Sequence, residues 1–104
     1  MAAKARDQVH PSVQAIMEEA RLKRLKFRAH HMGSNENDIL FGGFAEKYLY
    51  SLSAEQVDRF ETLIAETDTD LFNWVTGKVD VPAHLDHDVM RMIKNFVQNE
   101  AAIR

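Results

Sequence analysis

Ser53-Ala54-Glu55-Gln56-Val57-Asp58-Arg59-Phe60-Glu61-Thr62-Leu63-Ile64 carries the clearest statement of fold in the chain. Serine at its start and glutamine three positions on form a capping box, in which each side chain satisfies a backbone N–H at a helix N-terminus. Val57, Phe60, Leu63 and Ile64 then recur at the spacing that gathers side chains on one face of a 3.6-residue helix. Immediately downstream, Asp68 is expected as an N-cap and Asp70 lies in the first turn, where the helix dipole favours a carboxylate. Leu71, Phe72, Trp74 and Val75 follow before Gly77. Two short amphipathic helices joined by a tight turn imply that their neighbours complete an all-helical core.

The pattern extends in both directions. Upstream, a helix is expected to open near Pro11, a residue favoured in the first helical turn. Val13, Ile16, Met17 and Ala20 begin its apolar stripe, while Leu22, Leu25, Ala29 and Met32 continue on a rotated face. Gly33 follows, where a C-cap calls for a residue that tolerates positive φ. Residues 35–52 form a second segment with Leu40, Phe41, Phe44, Ala45, Tyr48, Leu49 and Leu52 on one side. Gly42 and Gly43 in its interior weaken the helix and point to close packing of another helix at that place. Downstream, residues 79–82 connect to a last helix opened by Pro82 or nearby, with Leu85, Val89, Met92, Ile93, Phe96 and Val97 as its stripe. The fold class is all-α, a compact bundle of five short helices in one domain over residues 1–104, with residues 1–10 expected as a flexible tail.

Composition narrows the function. With 104 residues there is room for one modest core. Cysteine is absent, which removes disulfides and thiolate metal sites. No apolar run reaches the roughly 20 residues that cross a bilayer, and the start lacks a secretory signal's apolar core. The expected setting is therefore the cytoplasm by default. Residues 1–31 carry seven Lys/Arg against three carboxylates, a net of +4, and the rest carries six against thirteen, a net of −7. That polarity suits an oriented encounter with a partner, or else a basic helix folded onto an acidic body.

Catalytic signatures are missing. His30 and His31 are adjacent and diverge on a helix, so they cannot chelate one ion as an i, i+4 pair would. His84 and His87, with Asp88 beside them, form a weak ligand pattern that more often marks a solvated surface. No nucleophile elbow, zinc-binding or phosphate-loop motif occurs. The expectation is a non-enzyme without a metal that works by binding another protein. Arg21 to Arg28 is basic enough to raise a rival reading, a small regulatory or antitoxin-like protein on nucleic acid. An acidic overall balance weighs against it.

The turn between the first two helices stands out, since Gly33 there precedes Glu36 and Asp38. Together with Leu22-Lys23-Arg24-Leu25-Lys26-Phe27-Arg28, the pattern Gly33-x-x-Glu36-x-Asp38-Ile39-Leu40-Phe41-Gly42-x-Phe44-Ala45 resembles the succinate dehydrogenase assembly factor 2 family, the flavinylation factors. Leu52-Ser53-x-x-Gln56, Phe60-Glu61-x-Leu63-Ile64 and residues 68–77 extend the resemblance collinearly over about residues 20–80. It implies a five-helix bundle that promotes covalent attachment of FAD to the flavoprotein subunit of succinate dehydrogenase, and in some bacteria of fumarate reductase. FAD would be the client's cofactor, with none held tightly by the helper. The resemblance also implies a partner-binding turn comprising Gly33, Glu36, Asp38, Arg28, His31 and Met32. The family motif is Arg-Gly-x-x-Glu, and here Met32 stands at the arginine position. Methionine offers soft apolar contact where arginine would offer a planar cation.

Overall fold

The computed structural model describes the backbone of residues 2–101 and the side chains of residues 13–101. Five α-helices occur among them: α1 (Ala2–Ala29), α2 (Asn35–Tyr48), α3 (Ala54–Leu63), α4 (Asp68–Val75) and α5 (Asp88–Asn99). Single 3₁₀ turns at Leu49–Ser51 and Ala83–Leu85 precede α3 and α5, and no strand appears among the described residues. The all-α reading holds.

Helix α2 is the hub, packing on α1, α4 and α5, while α3 and α4 both lie against α5. Its Phe44 is fully buried, with ring centroids 5.3 Å from Tyr48, 5.8 Å from Phe60 and 6.0 Å from Phe96. These are tilted, offset and edge-on arrangements in which ring quadrupoles attract. Leu25 and Ala29 from α1, Leu71 and Trp74 from α4, and Val89, Met90 and Ile93 from α5 complete the same core. Trp74 is 7 % exposed, a core anchor rather than a surface aromatic.

The two interior glycines have separate partners. A methyl built on Gly42 would strike the ring of His30, lying 2.8 Å from Cε1 and 2.9 Å from Cγ. One built on Gly43 would lie 3.1 Å from Phe96 Cζ. Close approach was expected here, and what approaches is a ring in each case, not a helix backbone.

Boundaries differ from expectation in instructive ways. Helix α1 runs back through Pro11 to Ala2. An interior proline forfeits one backbone bond, and Ala2, Ala3 and Ala5 beyond it are strong helix formers. Of residues 1–10, expected as a flexible tail, residues 2–10 continue the helical backbone of α1, while residue 1 and the side chains of residues 2–12 lie outside the described residues. Helix α2 ends at Tyr48, with its expected continuation tightened into a 3₁₀ turn that Leu52 N–H closes on the Leu49 carbonyl at 3.2 Å. Thr67, not Asp68, caps α4, accepting the Asp70 N–H at 3.3 Å. Asp68 is the first residue within the helix, where its charge still meets the dipole. Pro82 opens only the 3₁₀ turn, and α5 is capped by His87. The Ser53–Gln56 capping box is present with both bonds formed, at 2.9 and 3.2 Å.

The His87 cap makes stability depend on pH. Its Nδ1 accepts the Met90 N–H at 3.1 Å, which requires the neutral ring. Burial is the main influence on this imidazole and holds its pKa below the ordinary 6.5; Asp88 opposes it, and Arg59 adds to it. The unfolded chain therefore takes up the proton more readily. This contribution to stability is whole above about pH 6.5 and is lost as pH falls through the folded value. Thermal melts should show the wild-type midpoint falling faster than that of His87→Asn as pH is lowered from 7 to 5. Asparagine caps without titrating, so parallel curves for the two proteins would contradict this role.

Candidate functional site

The turn between α1 and α2 is built by hydrogen bonds that its sequence supplies. Gly33 has φ +113°, the left-handed region where a Cβ is disfavoured. Ser34 caps α2, its hydroxyl accepting the Asn37 N–H at 3.2 Å. The Asp38 carboxylate reaches back to accept the Met32 N–H, closing the turn as a loop. Asp38 is thus a clasp inside the turn. Met32 is half-buried and packs against the core. Soft apolar contact, expected of a methionine here, is made with the protein's own interior.

Asn37 decides where this turn sits. It is completely buried, and its Nδ2 donates to the Asp68 carbonyl at 2.9 Å. A buried amide so placed ties the first turn of α2 to the first turn of α4. A methyl on Gly33 would collide with the Asp68 carboxylate, so turn and helix start are in direct contact. Two helix N-termini consequently lie side by side, with Glu36 and Asp38 in one first turn and Asp68 and Asp70 in the other. Between them is an open pocket of about 260 Å³ lined by Ser34, Glu36, Asp68, Thr69 and Phe72. Lys78 Nζ stands 5.0 Å from the centre of the Phe72 ring at its side. Glu36 is exposed, and among the described residues no cation pairs with it.

The remaining expected site residues face elsewhere. Arg28 is 3.7 Å from Glu61, beside Arg21, which bonds Asp58 at 2.6 Å and Glu61 at 2.7 Å. Those hydrogen bonds, to Asp58 first, raise the Arg21 pKa above its ordinary value. His31 donates Nδ1–H to the Phe27 carbonyl at 2.7 Å and stacks on the Phe27 ring at 4.0 Å. A carbonyl can only accept, which fixes the tautomer. The structure thus brings Gly33, Glu36 and Asp38 together, and records no contact from Arg28 or His31 to Glu36.

Sequence reading missed Asn37 and the α4 half of the pocket. Asn37 lies three and four positions before Leu40 and Phe41, on the apolar phase of α2, and that phase was the available signal. Asp68, Thr69 and Phe72 reach the site only through tertiary packing. His30 and Lys26 meet Glu46 at 3.1 and 3.5 Å, and the hydrogen bond from His30 is the chief influence lowering the Glu46 pKa. Much of the basic helix is therefore folded onto the acidic body. Of the His84–His87 pattern, His87 has Nδ1 committed to its helix cap.

The described residues form a helical bundle that presents an acidic turn and a shallow pocket where the starts of α2 and α4 adjoin. A sequence model of the family described as flavinator of succinate dehydrogenase matches residues 23–97, and the chain belongs to that family. Succinate dehydrogenase assembly factor 2-B, mitochondrial, of Drosophila willistoni is 35 % identical over 88 residues, covering 83 % of this chain and 56 % of the relative. The mitochondrial succinate dehydrogenase assembly factor 2 of Culex quinquefasciatus is 40 % identical over 78 residues, covering 73 % and 49 %. That of Dictyostelium discoideum is 30 % identical over 78 residues, covering 75 % and 55 %. The chain spans about half the length of the curated relatives it matches.

Proposed function

We propose that this protein is an assembly factor that promotes covalent flavinylation of the flavoprotein subunit of succinate dehydrogenase, and in some hosts of fumarate reductase, by binding and orienting that subunit. The observation that carries the reading is the family match over residues 23–97, within which lies the exposed, glycine-hinged turn bearing Glu36. The bond to flavin forms on the client, with FAD as the client's cofactor. The helper lends shape and charge from outside, so that the reacting groups meet already oriented. Free carboxylates at two adjoining helix starts suit a lysine or arginine of the client. Of the other residues expected at this contact, Arg28 is held by Glu61, His31 by the Phe27 carbonyl, and Met32 packs inward, so the contact centres on Glu36. The working compartment is the one in which the flavoprotein matures, the cytoplasm in a bacterium. Among the described residues no helix is long and apolar enough to cross a membrane.

The nucleic-acid alternative draws less support, because Arg21, Lys26 and Arg28 are engaged by Asp58, Glu46 and Glu61. Covalent flavin on purified apo-flavoprotein, read by in-gel fluorescence with and without the protein, tests the proposal. The protein should raise the yield several-fold. Glu36→Ala should remove most of that gain while costing the fold no more than about 1 kcal/mol, the scale of a first-turn carboxylate. An unchanged yield with Glu36→Ala would take the turn out of the mechanism. No gain from wild type would overturn the function itself.

A further inference from the structure

Helix α1 has two apolar faces, and only one of them is used by the bundle. At about 100° per residue, Leu22, Leu25 and Ala29 fall on one side, and Leu25 and Ala29 are buried there. Val13, Ile16, Met17, Ala20 and Phe27 fall on the opposite side, roughly half a turn away. Their exposure is 45 % for Val13, 68 % for Ile16, 64 % for Met17 and 63 % for Phe27. Residues 13–20 are exposed all round, so this part of the helix projects from the body. Apolar residues scattered singly on a surface need no explanation, but a stripe in helical register along a projecting helix is the pattern of an amphipathic contact.

Charge selects the occupant. Lys23 and Arg24 lie along the same outer face. Among the described residues Lys23 pairs with Glu19 of its own helix alone, at 3.9 Å, and Arg24 has no ion pair. A shallow groove of about 470 Å³ has Met17 and Arg24 among its lining residues. Two copies joined along this face would set Lys23 and Arg24 of one against those of the other, while Arg21, Lys26 and Arg28 are held by carboxylates of the bundle. A complementary occupant is apolar and carries acidic side chains.

We infer that the outer stripe of α1, centred on Ile16, Met17 and Phe27 and flanked by Lys23 and Arg24, is a second docking surface, which takes an apolar, carboxylate-bearing segment of the flavoprotein client. This rests on the function proposed above and adds a contact separate from the Glu36 turn. Such a surface would hold the client by two faces of one small bundle and fix its orientation.

Titration calorimetry of the full chain against apo-flavoprotein, at low and moderate salt, tests the inference. Because the altered side chains are exposed, circular dichroism and melting should match wild type for each variant. The double change Ile16→Ser with Met17→Ser is expected to weaken binding at least tenfold. Arg24→Glu should weaken it several-fold at low salt and flatten the salt dependence. Unchanged affinity for both variants, with wild type binding normally, would overturn the stripe and leave the proposed function standing. Failure of wild type to bind would remove both. Sedimentation of the wild type as a dimer that Ile16→Ser dissociates would replace the client with a second copy. Binding of the stripe to anionic phospholipid vesicles, with no loss of flavoprotein affinity in the variants, would likewise overturn it.

Discussion

Phe44→Ala is expected to cost about 3–5 kcal/mol and to leave the protein close to its unfolding threshold at room temperature. Phe44 is the side chain where three elements meet: it rises from α2, and its ring lies against Phe60 of α3 and Phe96 of α5. Its exposure is zero, so truncation removes a whole buried ring and leaves a cavity bounded by other rings. Those neighbours cannot collapse freely, because a methyl added at Gly43 would already press on Phe96. For a domain of this size each kcal/mol shifts the melting midpoint by roughly 4–8 °C. A fall of at least about 12 °C is therefore expected, with loss of the helical circular dichroism signal at physiological temperature. A shift under about 5 °C would mean that the aromatic cluster is not the centre of the fold.

Gly33→Val is expected to damage stability and function together. A β-branched residue at φ +113° is a backbone outlier, a class of strain on the order of 1–3 kcal/mol. Its Cβ would also collide with the Asp68 carboxylate and displace it from the pocket rim. Gly77→Val separates the two effects. Gly77 has φ +82°, and nothing lies within 4 Å of the position its Cβ would take. It shares the strain without the collision and stands outside the pocket lining. Gly77→Val should therefore lower the melting midpoint while leaving flavinylation near wild type. Gly33→Val should lower the midpoint further and reduce flavoprotein affinity by about tenfold or more, which is roughly 1.4 kcal/mol. Equal flavinylation by the two variants would show that the geometry at Gly33 serves only the turn.

The parts of this structure that sequence made legible are those specified by a few neighbouring residues. The Ser53–Gln56 box, the positive φ at Gly33 and the apolar phases of α3, α4 and α5 are local devices, and each is found where its residues stand. Helix edges were less legible because capping is a competition among adjacent candidates. Thr67 outbid Asp68, and His87 took the cap anticipated near Pro82. Periodicity found two stripes in α1, yet it could not say that Val13, Ile16 and Met17 would remain in solvent. That outcome depends on where the bundle ends. The site was half legible for the same reason: Gly33, Glu36 and Asp38 are sequence neighbours, whereas Asp68 and Phe72 meet them through the fold alone.

The His30 ring occupies the volume that a side chain at position 42 would need, while its Nε2 holds Glu46 one turn further along α2. Positions 30 and 42 therefore share a single space, and neither can be altered without regard to the other. Among related chains, an alanine or larger residue at 42 should be accompanied by a smaller or differently aimed residue at 30. The pair should drift through evolution as one character, linked by volume across twelve positions of sequence and invisible to any reading that takes residues one at a time.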